Sequence, residues 1–362
     1  MERSHILNML YAFSLGFFSI RLSVALGLLL IVDTVFRMRV GKPSGRLIFS
    51  TLLLIMFVVL FYIIGWGNLP DGSLIERFVF IIFTLFIASL LSIRIKDDEL
   101  LAVLSAFVYG MLIYSVPIVV FSLLKGGYGY GSLYNPWTLM EMNSPSVSND
   151  FALVSAFLIL FGLEKWKLTS SILLVVVSFC GVYVGGRTFL LIYMLSLFLF
   201  TFNSVSSRRL LIITPFFILL TIAFFISGLD KLVFSRFYEM GLESARFDMF
   251  IQAFRDIPDY PYGGFEPDVY SYKGEWFHNF YLDTASTSGW YPLFVSLFTS
   301  AYILTFIYRY HHKKFFYLFL IVVLIMSQDV IMEANLKPFL FFIILSSLLF
   351  RRNLKEKLYL ND

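Results

Sequence analysis

The sequence is poor in the residues that carry out most soluble enzyme chemistry. Its 362 residues include one cysteine and four histidines, and only 14% are charged. The single cysteine, Cys180, lies in an apolar segment and cannot form a disulfide within the chain. The hydrophobic share is 59% and the mean hydropathy is +0.82. This balance excludes an ordinary soluble domain and is typical of a membrane protein.

Three common site motifs are also missing. The glycine-rich stretch 126–131 lacks the Gly-Lys-Ser/Thr ending of a phosphate-binding loop, and no predicted strand precedes it. No Gly-x-Ser-x-Gly sequence indicates a serine hydrolase. No His-x-x-x-His pair or cysteine cluster indicates zinc, and His5, His311 and His312 are predicted on the opposite membrane face from His278. We therefore expect no metal and no cofactor.

The sequence does contain a series of long apolar runs, which predict an all-α, polytopic integral membrane protein with a single transmembrane domain, residues 1–362. Arg21 interrupts the first apolar stretch. One span through it would bury an arginine at a cost of roughly 2.5–3.5 kcal/mol, so we predict two short helices there. That gives twelve spans; the one-span alternative leaves eleven. The runs are Ile6–Ile20, Leu22–Phe36, Leu47–Ile64, Ile75–Ile93, Leu100–Leu124, Phe151–Leu163, Ser170–Val184, Thr188–Phe202, Leu210–Ser227, Tyr291–Tyr308, Phe315–Met332 and Phe339–Phe350.

The basic residues support this topology. Every second loop is rich in lysine and arginine, as the positive-inside rule requires, which places both termini in the cytoplasm. The net charge of +4 therefore reflects topology and indicates no nucleic-acid partner. No small-x-small cleavage signal follows the first apolar stretch, so we expect a retained anchor. The basic clusters lie at 37–46, 94–96, 165–167, 208–209, 309–314 and 351–357.

Two longer polar segments fall on the predicted outer side. Lys125–Asp150 is predicted to be a flexible loop. Gly228–Trp290, the longest polar stretch, is predicted to be a large periplasmic loop that carries the site. Within it, the spacing of apolar residues predicts an amphipathic helix, Ser244–Arg255, lying in the membrane interface and capped by Ser244. Its predicted apolar face consists of Phe247, Phe250, Ile251 and Phe254.

Three cationic or titratable residues share this outer face. Arg187 and Arg246 could clamp a pyrophosphate, because two planar guanidinium groups suit phosphate oxygens. His278 could act as a general base at neutral pH. Each has a simpler alternative: Arg187 could anchor a helix end at the interface, and His278 could cap the following helix. The predicted location of all three residues on one membrane face favours the catalytic interpretation.

A family resemblance supports that interpretation. The segments Ser244–Phe250, Asp259–Phe265 and His278–Leu282, followed by Gly289, resemble the signature loop of the O-antigen polymerase and O-antigen ligase superfamily. The similarity extends to two earlier motifs. These are Gly185-Gly186-Arg187-Thr188, similar to the family's small-small-Arg motif, and Ser148-Asn149-Asp150-Phe151-Ala152, similar to its Asn-x-x-Ala element. The chain departs from the family at Pro-Tyr-Gly-Gly, where Pro-x-x-Gly-x-Gly is commoner, and at Pro292.

The resemblance implies a metal-independent glycosyltransferase of the bacterial inner membrane, with its site on the periplasmic face. Its donor would be an undecaprenyl-pyrophosphate-linked glycan. His278 would deprotonate the acceptor, and Arg187 and Arg246 would hold the leaving pyrophosphate. Asn279 and Arg255 are further candidates for substrate binding. A chain-length regulator protein is a candidate partner beside the lipid bilayer.

Polymerase and ligase share this site and differ in acceptor. The compact chain and its loose match to ligase patterns favour the polymerase, which extends a lipid-linked repeat unit. The ligase would instead transfer glycan to lipid A-core. A flippase or transporter of lipid-linked oligosaccharide is a second alternative, but it predicts more charged positions within the spans than the sequence has. A purely structural scaffold would have no use for the arginines and His278.

Overall fold

The computed structural model of the protein describes residues 3–37, 43–69, 74–126, 132–204, 245–269, 273, 276–332 and 334–350. Three predicted features lie outside the described residues. These are the span Leu210–Ser227, residues 228–244 of the long polar segment, which include the predicted cap Ser244, and the basic cluster 351–357. The predicted helical character of the chain is confirmed. The helices are α1 Arg3–Gly16, α2 Ile20–Arg37, α3 Gly45–Ile64, α4 Leu74–Arg94, α5 Leu100–Leu124, α6 Ser144–Phe157, α7 Leu163–Lys165, α8 Lys167–Val184, α9 Arg187–Ser204, α10 Ala245–Asp256, α11 Phe280–Ser288, α12 Trp290–Tyr310, α13 Lys313–Met326 and α14 Lys337–Leu349.

Six helical segments of the described chain are long and apolar enough to cross a membrane. The predicted total of twelve spans and the side on which each loop lies stay predictions. The expected break near Arg21 is present, since α1 ends at Gly16 and α2 begins at Ile20. The six segments are Gly45–Gly67, Ile75–Arg94, Leu100–Leu124, Ser144–Lys165, Lys167–Val184 and Trp290–Tyr310.

The chain divides into two compact units. The first comprises Met1–Tyr114 and Arg246–Asp362, and the second Ser115–Ala245. In the first unit, α3 packs against α4 and α12, and α14 packs against α4 and α13. In the second unit, α6 packs against α8 and α9, and almost all of its side chains are buried. The predicted site residues are therefore distributed over both units.

The prediction of a loop over Lys125–Asp150 was wrong for residues 132–150. Strand β1, Ser132–Asn135, pairs antiparallel with strand β2, Met140–Asn143, and α6 begins at Ser144. The turn forms because the Asn135 side chain accepts a hydrogen bond from the Trp137 amide at 2.9 Å, which replaces a missing backbone partner. Pro145 is tolerated because it lies in the first turn of α6, where an amide hydrogen is not needed.

The prediction that one apolar helix runs from Phe315 to Met332 was also wrong at its end. Helix α13 stops at Met326, and residues 327–332 and 334–336 are irregular before α14 begins. The carbonyls of Ser327 and Gln328 accept hydrogen bonds from other parts of the first unit instead of continuing the helix. Tertiary polar partners thus end a helix that hydropathy alone would extend.

Candidate functional site

The first part of the site is a glycine turn at residues 261–264 that packs on the junction of α11 and α12. The Trp290 amide donates to the Pro261 carbonyl at 3.0 Å, and the Gly264 amide donates to Ser286 at 2.6 Å. Gly289 has a φ of +76°, and a Cβ there would lie 2.0 Å from the Pro261 carbonyl oxygen. Only glycine fits this close approach. The turn thus fixes the path of the chain between α10 and α11.

Helix α10 is amphipathic, as predicted, and its two faces have different surroundings. Met249 and Ala253 are fully buried in an apolar cluster with residues of α11 and α12. Phe247, Ile251 and Phe254 are exposed on the opposite face. The predicted face is correct except for Phe250, which is half-buried against the cluster. An exposed stripe of this kind suits a helix lying at the surface of a bilayer.

Arg246 lies on α10 and reaches inward. Its Nη1 donates a hydrogen bond to the Gln328 carbonyl at 3.3 Å, and its positive charge acts on the His278 imidazole. Arg255 comes nine residues later, about two and a half turns along α10 and so on the opposite side of the helix, and its side chain is exposed. The structure therefore brings Arg246 to His278 and leaves Arg255 on the other flank of the helix.

The backbone of His278 has a left-handed conformation, with φ of +54°. The buried carboxylate of Asp283 holds the residues on both sides of it. Oδ1 accepts the Phe277 amide at 2.7 Å, and Oδ2 accepts the Asn279 amide at 3.1 Å. Residues other than glycine rarely adopt this backbone conformation unless neighbouring contacts stabilise it. Asp283 thus fixes the main chain from which the imidazole projects, a role not recognised from the sequence.

Asn279, and not His278, caps the following helix. Its Oδ1 accepts the amides of Tyr281 and Leu282 at 3.0 and 3.2 Å. Its Nδ2 donates to the Ser327 carbonyl at 3.1 Å, which ties the start of α11 to the end of α13. The alternative that His278 caps this helix is therefore wrong, because the Asn279 side chain is the cap. In this structure the Asn279 amide is engaged within the protein.

The surroundings of His278 favour its neutral form. Burial, and secondarily the nearby Arg246 guanidinium, lower the pKa of His278 from its usual 6.5 to about 4. Both causes act against an imidazolium: the first removes solvating water, and the second adds a like charge. At neutral pH the imidazole is therefore uncharged and can accept a proton.

The residues between α13 and α14, 327–332 and 334–336, link several of these groups. Helices α13 and α14 have 14 and 13 residues and are each about 20 Å long, less than the roughly 30 Å of a bilayer's hydrocarbon core. Here Asp329 accepts a hydrogen bond from Asn335 at 2.9 Å, and both side chains are buried.

Two basic residues outside the predicted set adjoin the same segment. Arg77, in the first turn of α4, donates to the Met332 carbonyl at 3.2 Å. Lys337, the first residue of α14, is buried with its ammonium 4.0 Å from the centre of the Tyr114 ring. Arg77 lies at a helix end opposite the predicted cytoplasmic loops, which is a signal that could have identified it. Lys337 precedes the last predicted span on the same predicted outer side and carried the same signal.

Arg187 belongs to the second unit, where it opens α9 directly after two glycines. Gly185 has a φ of +68°, and Gly186 packs so closely on Ser148 of α6 that a Cβ would lie 1.8 Å from the hydroxyl oxygen. The two motifs singled out in this unit are therefore in contact. Next to them, Asp150 is fully buried and accepts a hydrogen bond from Ser115 at 2.6 Å. The convergence of Arg187 with Arg246 stays a prediction.

Within the described ranges, no three His, Cys, Asp or Glu side chains are grouped so that they could hold a metal ion. Comparisons with family models, with curated proteins and with solved structures find no match to this chain.

Proposed function

We propose that this protein is a bacterial inner-membrane glycosyltransferase that polymerises O-antigen or a related surface polysaccharide at the periplasmic face. It would transfer glycan from an undecaprenyl-pyrophosphate donor to a lipid-linked repeat unit. The observation that carries the proposal is the neutral imidazole of His278, held on a fixed backbone beside the Arg246 guanidinium. That pairing places a proton acceptor next to a binder of phosphate oxygens.

The reaction needs one base and one anion clamp. An acceptor hydroxyl oxygen forms a bond to the anomeric carbon of the donor sugar, and its proton passes to His278. The bond from that carbon to the pyrophosphate oxygen breaks, and the electron pair leaves with the pyrophosphate. Arg246 stabilises the leaving charge, with Arg187 as its proposed second arm. Because pyrophosphate is already a good leaving group, no further activation is required.

Donor binding would also make the His278 imidazole a stronger base. A pKa of about 4 makes the imidazole of His278 a weak proton acceptor before the substrate arrives. A pyrophosphate bound at Arg246 would offset the positive charge that helps lower this pKa. The pKa would then rise, which would make the imidazole a stronger base. The acceptor would be activated mainly when the donor is in place.

The exposed face of α10 suits a lipid-linked substrate. Phe247, Ile251 and Phe254 would lie at the boundary between headgroups and acyl chains, while Arg246 on the same helix faces inward to His278. A polyprenyl pyrophosphate has the same arrangement, with its tail in lipid and its phosphates at headgroup level. The helix would therefore meet both parts of the donor.

The proposal is tested by supplying purified protein in liposomes with one defined lipid-linked repeat unit. We expect a ladder of lipid-linked products of increasing length, formed without added metal. A second reaction contains lipid A-core as a competing acceptor. Glycan on lipid A-core without a ladder would identify a ligase. Translocation of the lipid-linked unit with no new glycosidic bond would contradict the enzyme proposal and favour the flippase alternative.

A further inference from the structure

The hairpin of β1 and β2 in the second unit has an ordered, apolar tip. Besides the Asn135 side-chain bond to the Trp137 amide, the Leu139 amide donates to the Asn135 carbonyl at 2.9 Å. These two bonds define the conformation of residues 136–139. Trp137 is 47% exposed, Leu139 71% and Met140 68%. Three large apolar side chains are thus held outward from one short turn.

The conformation of this tip is unfavourable for its sequence. Leu139 has a φ of +59°, a region that glycine or asparagine normally occupies in turns. A leucine there costs roughly 1–2 kcal/mol relative to the right-handed region. A turn facing only water would be better served by a polar residue or a glycine. The apolar side chain at a strained position is therefore best explained by a non-aqueous contact.

The base of the hairpin is fixed to the end of α5. Tyr134 stacks on Phe121 near the end of α5, with ring centres 5.7 Å apart and planes inclined by 20°. The Tyr134 amide donates to the Ser122 hydroxyl at 2.9 Å. The Lys125 ammonium lies 3.1 Å from the centre of the Tyr134 ring. The hairpin is thus fastened to the last turn of a helix long enough to span the bilayer.

That helix end has an exposed apolar surface next to the base of the hairpin. Val120, Phe121 and Leu124 are exposed, and Leu124 is 78% exposed. In a spanning helix such side chains face hydrocarbon. Tyrosine, tryptophan and lysine around them are the residues enriched where a protein meets the headgroup layer. The apolar tip would therefore extend a surface that suits lipid.

We propose that Trp137, Leu139 and Met140 insert into the lipid layer at the outer end of α5, at the boundary between headgroups and acyl chains. The hairpin would anchor the end of α5 and the start of α6 to the membrane surface. Continuity with the exposed end of α5 favours lipid over a protein partner as the occupant of this surface. The inference does not depend on the enzyme proposal.

The test places a single cysteine at position 139 in a Cys180→Ser background and labels it with the environment-sensitive nitrobenzoxadiazole fluorophore. The protein is reconstituted in phosphatidylcholine vesicles. Matched labels at 124 and 268 serve as lipid-facing and aqueous references, because Leu124 and Asp268 are both exposed. We expect blue-shifted emission at 139, strong quenching by lipids carrying a nitroxide on the upper acyl chain, and weak quenching by aqueous iodide.

Two results would overturn the proposal. Emission and iodide quenching at 139 equal to those at 268 would show a tip in water, open to a soluble or protein partner. Protection from both quenchers would show a tip covered by protein, such as a second copy of the chain. A label at 137 repeats the measurement without altering the left-handed residue, so a failure of the Leu139→Cys variant to fold leaves the question answerable.

Discussion

The carboxylate of Asp283 should be as important for catalysis as a residue that touches substrate. Its two hydrogen bonds, to the amides of Phe277 and Asn279, are made by a buried charged group, and each such bond contributes about 1.5–3 kcal/mol. The left-handed backbone of His278 costs roughly 1–2 kcal/mol. Two bonds outweigh this cost, whereas one bond does not, because the other amide is then left unsatisfied at a further cost of about 1–3 kcal/mol.

Replacing Asp283 by asparagine leaves one acceptor oxygen for two amides, so the backbone of His278 should lose its fixed conformation. We expect turnover to fall on the order of 100-fold, the usual effect of misplacing a catalytic group by about 1 Å. The KM for the lipid-linked donor should change little. Thermal unfolding of the purified protein should show destabilisation by about 2–4 kcal/mol.

The matched control is Asp248→Asn, which removes the same charge from the first turn of α10, where the side chain is exposed. It should leave turnover near the wild-type value. Asp283→Glu provides a variant that keeps the charge if the asparagine variant folds poorly. Equal turnover and equal unfolding temperatures for Asp283→Asn and Asp248→Asn would refute the argument that this carboxylate positions His278.

Three further outcomes follow from the geometry. Gly289→Ala should destabilise the protein by at least about 2 kcal/mol in thermal unfolding, because its Cβ would meet the Pro261 carbonyl. Because folding lowers the pKa of His278, its neutral imidazole should contribute stability that is present above pH 6.5 and is lost as the pH falls toward 4. Subtracting the pH profile of unfolding of His278→Gln from that of the wild type isolates this contribution. Arg246→Gln should abolish most activity and shift the acidic limb of the pH–rate profile upward, whereas Arg255→Gln should change neither.

The apolar runs predicted most helices because burial of the backbone in lipid leaves few alternatives to a helix. The observed bounds of α3, α4 and α5 lie within two residues of the predicted runs. Helix α10 was predicted from the spacing of its apolar residues, a local signal that survives in the folded chain. These elements depend on neighbours in sequence, and sequence analysis can detect them.

The remaining features depend on contacts between distant residues. The end of α13 at Met326 is set by hydrogen bonds from Arg246 to Gln328 and from Asn279 to Ser327, across 82 and 48 positions, which hydropathy cannot register. Asp283 lies in the first turn of α11, where a carboxylate is favourable to the helix dipole whatever else it contacts. Its bridge across His278 required the left-handed backbone, which no local pattern indicated.

General-base catalysis requires the His278 imidazole to take the proton from the acceptor hydroxyl. This step is tested by single-turnover glycan transfer by purified His278→Gln, with donor binding and folded protein measured on the same sample. Glutamine can still form hydrogen bonds but cannot act as the base. We expect normal folding and donor binding, with transfer reduced about 10²–10⁴-fold. Wild-type transfer by this variant would remove His278 from the mechanism.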